Sequence, residues 1–168
     1  EKMAKEKKVI VAEDKEIEGI SRYRGEVHKF IATRQGKVLK TQGEREKHPT
    51  ASLAKVMNII VALDQIDKGN ASLDDKVCFT PDTAYLKGSW LNVKPGDCFT
   101  LENLLKSEII YSANNAAYLV AKHIGNGDIE KFVALMNEKA QELEMKDTVF
   151  HTPAGLPTSM TGKEMDIS

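Results

Sequence analysis

Cysteine, histidine pairs and long apolar runs are scarce in this sequence, and each scarcity removes a class of protein. Two cysteines in 168 residues, Cys78 and Cys98, are too few for a disulfide framework or a zinc site. The four histidines, His28, His48, His123 and His151, are scattered without an i,i+4 pair that would grip a metal, so no metal or other cofactor is expected. Purely apolar runs such as Ile59–Leu63 fall far short of the roughly 20 residues a membrane span needs, so no transmembrane helix is expected. An excess of one charge is missing as well. The 24 basic and 25 acidic side chains leave a net charge of −1, which gives nucleic acid no footprint. The opening Glu1-Lys2-Met3-Ala4-Lys5 has no apolar core behind its charges and reads as no secretory leader. A cytoplasmic protein or one whose leader has been removed fits that start.

What is present is enough for a folded domain. Hydrophobic residues make up 41% and charged residues 29%, and the length suits one domain or a truncated one. The first 50 residues hold 13 basic and 9 acidic groups, a mild excess that reads as a solvated, Lys-rich arm over residues 1–24. Residues 26–33 and 37–41 carry β-branched and aromatic side chains around Arg34-Gln35-Gly36, the pattern of a hairpin with glycine at positive φ. Pro49 and Thr50 open a long helical pattern with Leu53, Val56, Met57, Ile60, Leu63 and Ile66 on one stripe. Ile59 and Val61 lie off that stripe, which predicts a helix apolar on more than one side and central to the core. Gly69-Asn70 stops it.

Val77–Thr80 and Cys98–Thr100 read as short strands, with Lys94-Pro95-Gly96-Asp97 as a turn. Paired antiparallel, they bring the two cysteines face to face, either as a disulfide or as two buried thiols. Three helices follow: about 101–110 capped by Thr100, about 113–124 ended by Gly125, and about 128–144 capped by Asp128. A short segment, 148–150, and a loop, 151–157, come after them. The order is strand–strand–helix–small hairpin–helices, an α+β layout.

Two groups of residues carry candidate chemistry. Ser52 and Lys55 stand three apart at the start of the first long helix, on one face and within reach of each other. Serine attacks poorly until a base takes its proton, and a lysine serves only when neutral, a state that burial favours. The plain alternative is a helix cap followed by a solvated lysine. Ser112 and Asn114 lie at a junction between two helices, where a hydroxyl and a carboxamide either cap the next helix or point into a cleft.

Together, Pro49-Thr-Ala-Ser-Leu-Ala-Lys55 and Ile110-Tyr-Ser-Ala-Asn-Asn-Ala-Ala117 resemble the penicillin-binding D-alanyl-D-alanine carboxypeptidases, whose sites combine S-x-x-K, S-x-N and K-T-G. Gly36–Leu39, Leu73–Val77, Lys87–Trp90, Val93–Asp97, Phe132–Asn137 and Leu143–Met145 extend the likeness over about residues 26–168. The resemblance implies a β-lactamase/penicillin-binding-protein-like transpeptidase fold, with residues 25–168 as an incomplete catalytic domain. It implies Ser52 as acylated nucleophile, Lys55 as its base, Ser112 as proton relay and Asn114 as ligand of the substrate amide. The implied reaction partners are cell-wall stem peptides ending in D-Ala-D-Ala and the β-lactams that mimic them, and the implied location is the bacterial envelope.

Two departures stand out. No K-T-G occurs, since Thr161-Gly162-Lys163 is reversed in order and follows a loop. That implies a truncated fold: a helical region plus the N-terminal hairpin, with the C-terminal sheet strands missing. An unpaired sheet edge would invite dimerisation or strand exchange. The other departure is Ala154, where the family usually has histidine, and this weakens any role for that loop. A class A-like β-lactamase is the neighbouring alternative, but 148–157 lacks the glutamate such an enzyme needs. A non-catalytic envelope protein that binds peptidoglycan or a partner is the alternative from outside catalysis.

Overall fold

The computed structural model describes residues 29–42 and 47–168. The chain divides into two compact units, residues 1–44 and 45–168. The polar arm expected over 1–24 and its boundary lie outside the described residues.

In the first unit, strands β1 (Lys29–Ala32) and β2 (Val38–Gln42) pair antiparallel, with Phe30 opposite Thr41 and a register shift between Ile31 and Ala32. Gly36 closes the turn at φ +83°, a conformation that suits a residue without Cβ. Its N–H donates to the Thr33 carbonyl at 2.9 Å. The expected hairpin is present over its described part, and residues 26–28 lie outside it.

The second unit begins with a 3₁₀ turn, Ala51–Leu53, that runs into helix α1 (Ala54–Asp67). Gly69 at φ +76° ends the helix, and the N–H of Asn70 returns to the Gln65 carbonyl at 2.9 Å. Strands β3 (Lys76–Cys78) and β4 (Cys98–Thr100) pair antiparallel with Cys78 opposite Cys98, and the two sulfurs are joined as a disulfide. The choice between bonded and free thiols is thereby resolved. A short helix, α2 (Pro81–Ala84), sits between the strands, started by a reciprocal Thr80–Thr83 capping box.

Helix α3 (Leu101–Tyr111) starts where Thr100 accepts from the Asn103 N–H, and α5 (Ile129–Glu142) starts where Asp128 accepts from the Glu130 N–H. Between them lies α4 (Asn114–Ile124), and beyond α5 comes one turn, α6 (Thr158–Thr161), which the sequence pattern does not announce. The chain then returns so that Ile167 bridges both Pro49 and Val149.

The structure corrects the expectation that α1 is the central helix. That place belongs to α4, which packs against α1, α2, α3 and α5. Ala113, Ala116, Ala117, Leu119, Val120 and Ala121 are all buried, and the alanines among them let neighbouring helices approach from several sides. One apolar cluster joins α3, α4 and the small hairpin around Leu101, Leu104 and Phe79. A second joins α1, α4 and α5 around Val61, Phe132 and Met136. The apolar stripe read on α1 is mostly open: Leu53 is 73% exposed and Val56 55%. Met57 alone of that stripe is buried, beside Ala54, Val61 and Ala62 on the side facing α4 and α5. Close helix packing therefore selects the side carrying small residues.

Candidate active site

Ser52 lies in the 3₁₀ turn just before α1, and Lys55 is the second residue of the helix, so the i,i+3 spacing places the amine beside the hydroxyl. Lys55 Nζ is 3.2 Å from Ser52 Oγ and donates to the Ala154 carbonyl at 3.2 Å. Ser112 Oγ is 3.0 Å from Ser52 Oγ, joining residues sixty apart in sequence. Ser112 reaches it because α3 ends there in a left-handed turn, φ +51°, which lifts the side chain off the helix. Ala51, just before Ser52, is also left-handed at φ +46°. Strain of that kind is held only where the surroundings impose it.

The surroundings are the loop 151–157. Gly155 lies so close to Ala51 that an added Cβ would sit 1.7 Å from the Ala51 carbonyl oxygen. The loop is held from behind by Asp166, whose carboxylate accepts from the N–H groups of His151 at 2.6 Å and Thr152 at 2.8 Å and from the Thr152 hydroxyl at 3.0 Å. Thr152 Oγ1 in turn accepts from the N–H groups of Gly155 and Leu156. Asn58, fully buried one turn after Lys55, donates to the carbonyls of Pro153 at 2.9 Å and Ala117 at 3.1 Å, tying α1 to both the loop and α4. The substitution at Ala154 was expected to weaken the loop's part. Instead its backbone carbonyl orients Lys55, a role that does not depend on the side chain.

Asn114 opens α4. Its side-chain N–H₂ donates to the Lys87 carbonyl at 2.9 Å, and its backbone N–H donates to Ser89 O at 2.7 Å. Gly88 is required beneath it, since a Cβ there would stand 2.6 Å from Asn114 Nδ2. Asn115 brackets Leu91, accepting from its N–H and donating to its carbonyl, each at 2.9 Å. The S-x-N segment therefore anchors the 87–91 loop as well as closing the site. Of the four residues singled out from the sequence, Lys55 and Ser112 both contact Ser52. Asn114 is two positions beyond Ser112 and turned to the loop.

A cleft of about 430 Å³ opens over Ser52, Lys55 and Ser112, walled by Leu53, Val56, Ile59 and Ile109. Lys55 is only 3% exposed, and that burial lowers its pKa below the usual lysine value, with the Glu108 carboxylate pulling the other way. An amine weakened as an acid-holder in this way is available as a base. Glu108 lines the same cleft and is itself buried. The sequence reading passed over it. Its signal was a glutamate at a position in register with Leu101, Leu104 and Leu105, where a core residue belongs.

Residues 24–166 match the D-alanyl-D-alanine carboxypeptidase family. The chain belongs to that family. The D-alanyl-D-alanine carboxypeptidase DacF of Bacillus subtilis is 37% identical over 121 residues, which is 72% of this chain and 31% of DacF. DacB2 of Mycobacterium tuberculosis is 36% identical over 72% of this chain and 39% of its own. The chain therefore spans about a third of the curated relatives it matches. Among solved structures, the carboxypeptidase DacD of Francisella tularensis superposes with a TM-score of 0.73 at 30% identity, covering 80% of this chain and 32% of that one. Penicillin-binding protein D2 of Listeria monocytogenes, solved in an ampicillin-bound form, gives 0.67 at 27% identity, over 80% and 52%. The described fold, helices with two small antiparallel sheets, is a partial α+β fold of the penicillin-binding-protein kind.

Proposed function

We propose that this chain carries the acylating residues of a serine-type D-alanyl-D-alanine carboxypeptidase acting on cell-wall stem peptides. The observation that carries the reading is the contact of Ser52 Oγ with both Lys55 Nζ at 3.2 Å and Ser112 Oγ at 3.0 Å. In this reading Lys55, whose burial disfavours its charged form, takes the Ser52 proton as Oγ attacks the carbonyl carbon of the penultimate D-alanine. The tetrahedral oxyanion collapses, the C–N bond breaks, and the terminal amine leaves with a proton passed through Ser112. A Ser52 ester remains, which water hydrolyses to regenerate the hydroxyl. The Ser52 backbone N–H supports the oxyanion, and Asn114 holds the substrate's amide once the 87–91 loop releases it. β-Lactams acylate the same serine because their ring amide stands in for the D-Ala-D-Ala bond.

Family membership supports this reading, and so does the ampicillin complex of the Listeria relative. The substrate lies outside the cytoplasmic membrane, so the proposal places the protein in the bacterial envelope. No helix among the described residues is long and apolar enough to cross a membrane. The test is intact mass after incubation with benzylpenicillin, beside Ser52→Ala. One added penicillin on the unaltered chain and none on the variant is expected. Equal labelling of Ser52→Ala would sink the assignment of the nucleophile.

A further inference from the structure

Glu108 is a buried titratable group for which the acylation chemistry above has no use. It continues the inward stripe of α3 after Leu101, Leu104 and Leu105, and is only 3% exposed. Both carboxyl oxygens are sealed from solvent without a hydrogen-bond partner. A carboxylate so placed is costly unless it is neutralised or faces a compensating charge. Across the cleft, α1 supplies that charge in Lys55, which is buried to the same degree. The other elements packed on α3 bring none. The buried face of α4 carries asparagine and apolar residues, and β4 is Cys98-Phe99-Thr100. On α3 itself, Glu102 and Lys106 are exposed and paired with each other at 2.7 Å.

We propose that Glu108 is a positioning residue of this site: its carboxyl group shares a single proton with the Lys55 amine and thereby sets the charge state in which Lys55 meets Ser52. The proposal rests on the acylation reading for its consequence, but the proton sharing stands on the cleft alone. With one proton between them the pair is net neutral, as ammonium and carboxylate or as amine and carboxylic acid. Adding or removing a proton leaves a lone charge in apolar walls. The amine–acid form presents the Lys55 lone pair to Ser52 Oγ at 3.2 Å. When Ser52 attacks, its O–H bond breaks, an N–H bond forms on Lys55, and the new ammonium balances the oxyanion while Glu108 stays neutral. The ionised form of Glu108 opposes this by holding the proton on Lys55.

Removing the carboxylate should therefore let Lys55 release its proton at lower pH. The test is the pH titration of the Lys55 ¹³Cε resonance, assigned by its absence in Lys55→Met, in the unaltered chain, Glu108→Gln and Glu108→Met. A midpoint lower by about one pH unit in both variants is expected, the shift one nearby opposite charge produces. An unchanged midpoint overturns the proposal. Two substitutions of different polarity guard against one that fails to fold. In parallel, the acid limb of benzylpenicillin acylation should move to lower pH, about tenfold faster in Glu108→Gln at a pH on the original limb. A limb that stays in place while the variant acylates normally overturns the role of the pair in setting Lys55. If none of the proteins acylates but the midpoint moves, the proton sharing holds and the acylation reading fails.

Discussion

The side of α1 that meets α4 and α5 carries Ala54, Lys55, Met57, Asn58, Val61 and Ala62, whereas the open side carries Leu53, Val56, Ile60 and Leu63. By hydrophobicity alone the assignment would be reversed. The buried side holds a lysine and an asparagine, whereas the exposed side presents four large aliphatics before it reaches Asp67. The small residues Ala54 and Ala62 let the Ala-rich α4 come close, and Asn58 bonds one carbonyl there, Ala117, and one in the 151–157 loop, Pro153. The open side instead borders an apolar groove of about 320 Å³ with Leu143, Met145 and Phe150. Shape and hydrogen-bond supply chose which side is covered, and transfer energy did not.

Breaking the covered side should have the largest effect. Met57→Ala removes a buried thioether from the α1–α5 cluster and should cost about 2–5 kcal/mol in denaturant-induced unfolding. An intermediate case is Glu108→Gln, whose effect depends on pH. Burial raises the Glu108 pKa well above the usual carboxylate value of 4.5, with Lys55 acting against the shift. A raised folded-state value means stability that is present below the unfolded value and lost as pH rises through the folded one. The melting temperature of Glu108→Gln relative to the unaltered chain should therefore climb from about pH 4.5 upward, and a flat difference would show the group to be normal in the folded state. The smallest effect belongs to the open side. Val56→Ser and Leu63→Ser should each change stability by no more than about 0.5 kcal/mol. A cost equal to that of Met57→Ala would mean that this side is covered in solution and that the contrast between the two sides is false.

Much of the local structure was legible because its signals are short-range. Thr100, Asp128 and Gly69 each mark a helix end through a hydrogen bond or a backbone angle that depends on few neighbours. The Ser52–Lys55 contact was legible for the same reason, being fixed by helical spacing. Ser112 was found through its motif, although the 3.0 Å contact itself depends on how α3 is docked against α1. Asn58 and the Ala154 carbonyl escaped notice because a helical asparagine and a backbone oxygen carry no pattern in the sequence, whereas Glu108 was passed over although it stands in register with Leu101, Leu104 and Leu105.

The sequence by itself determined the four long helices, the caps at Thr100, Asp128 and Gly69, the two hairpins and the pairing of hydroxyl with amine, since each follows from interactions within about one turn or one strand pair. Only the tertiary structure decided which side of α1 is buried, that α4 rather than α1 is central, that Cys78 and Cys98 are bonded, and that Lys55 shares its cleft with Glu108. Those outcomes depend on the distance between elements remote in the chain. Burial, and with it the charge a lysine can carry, is a property of that packing.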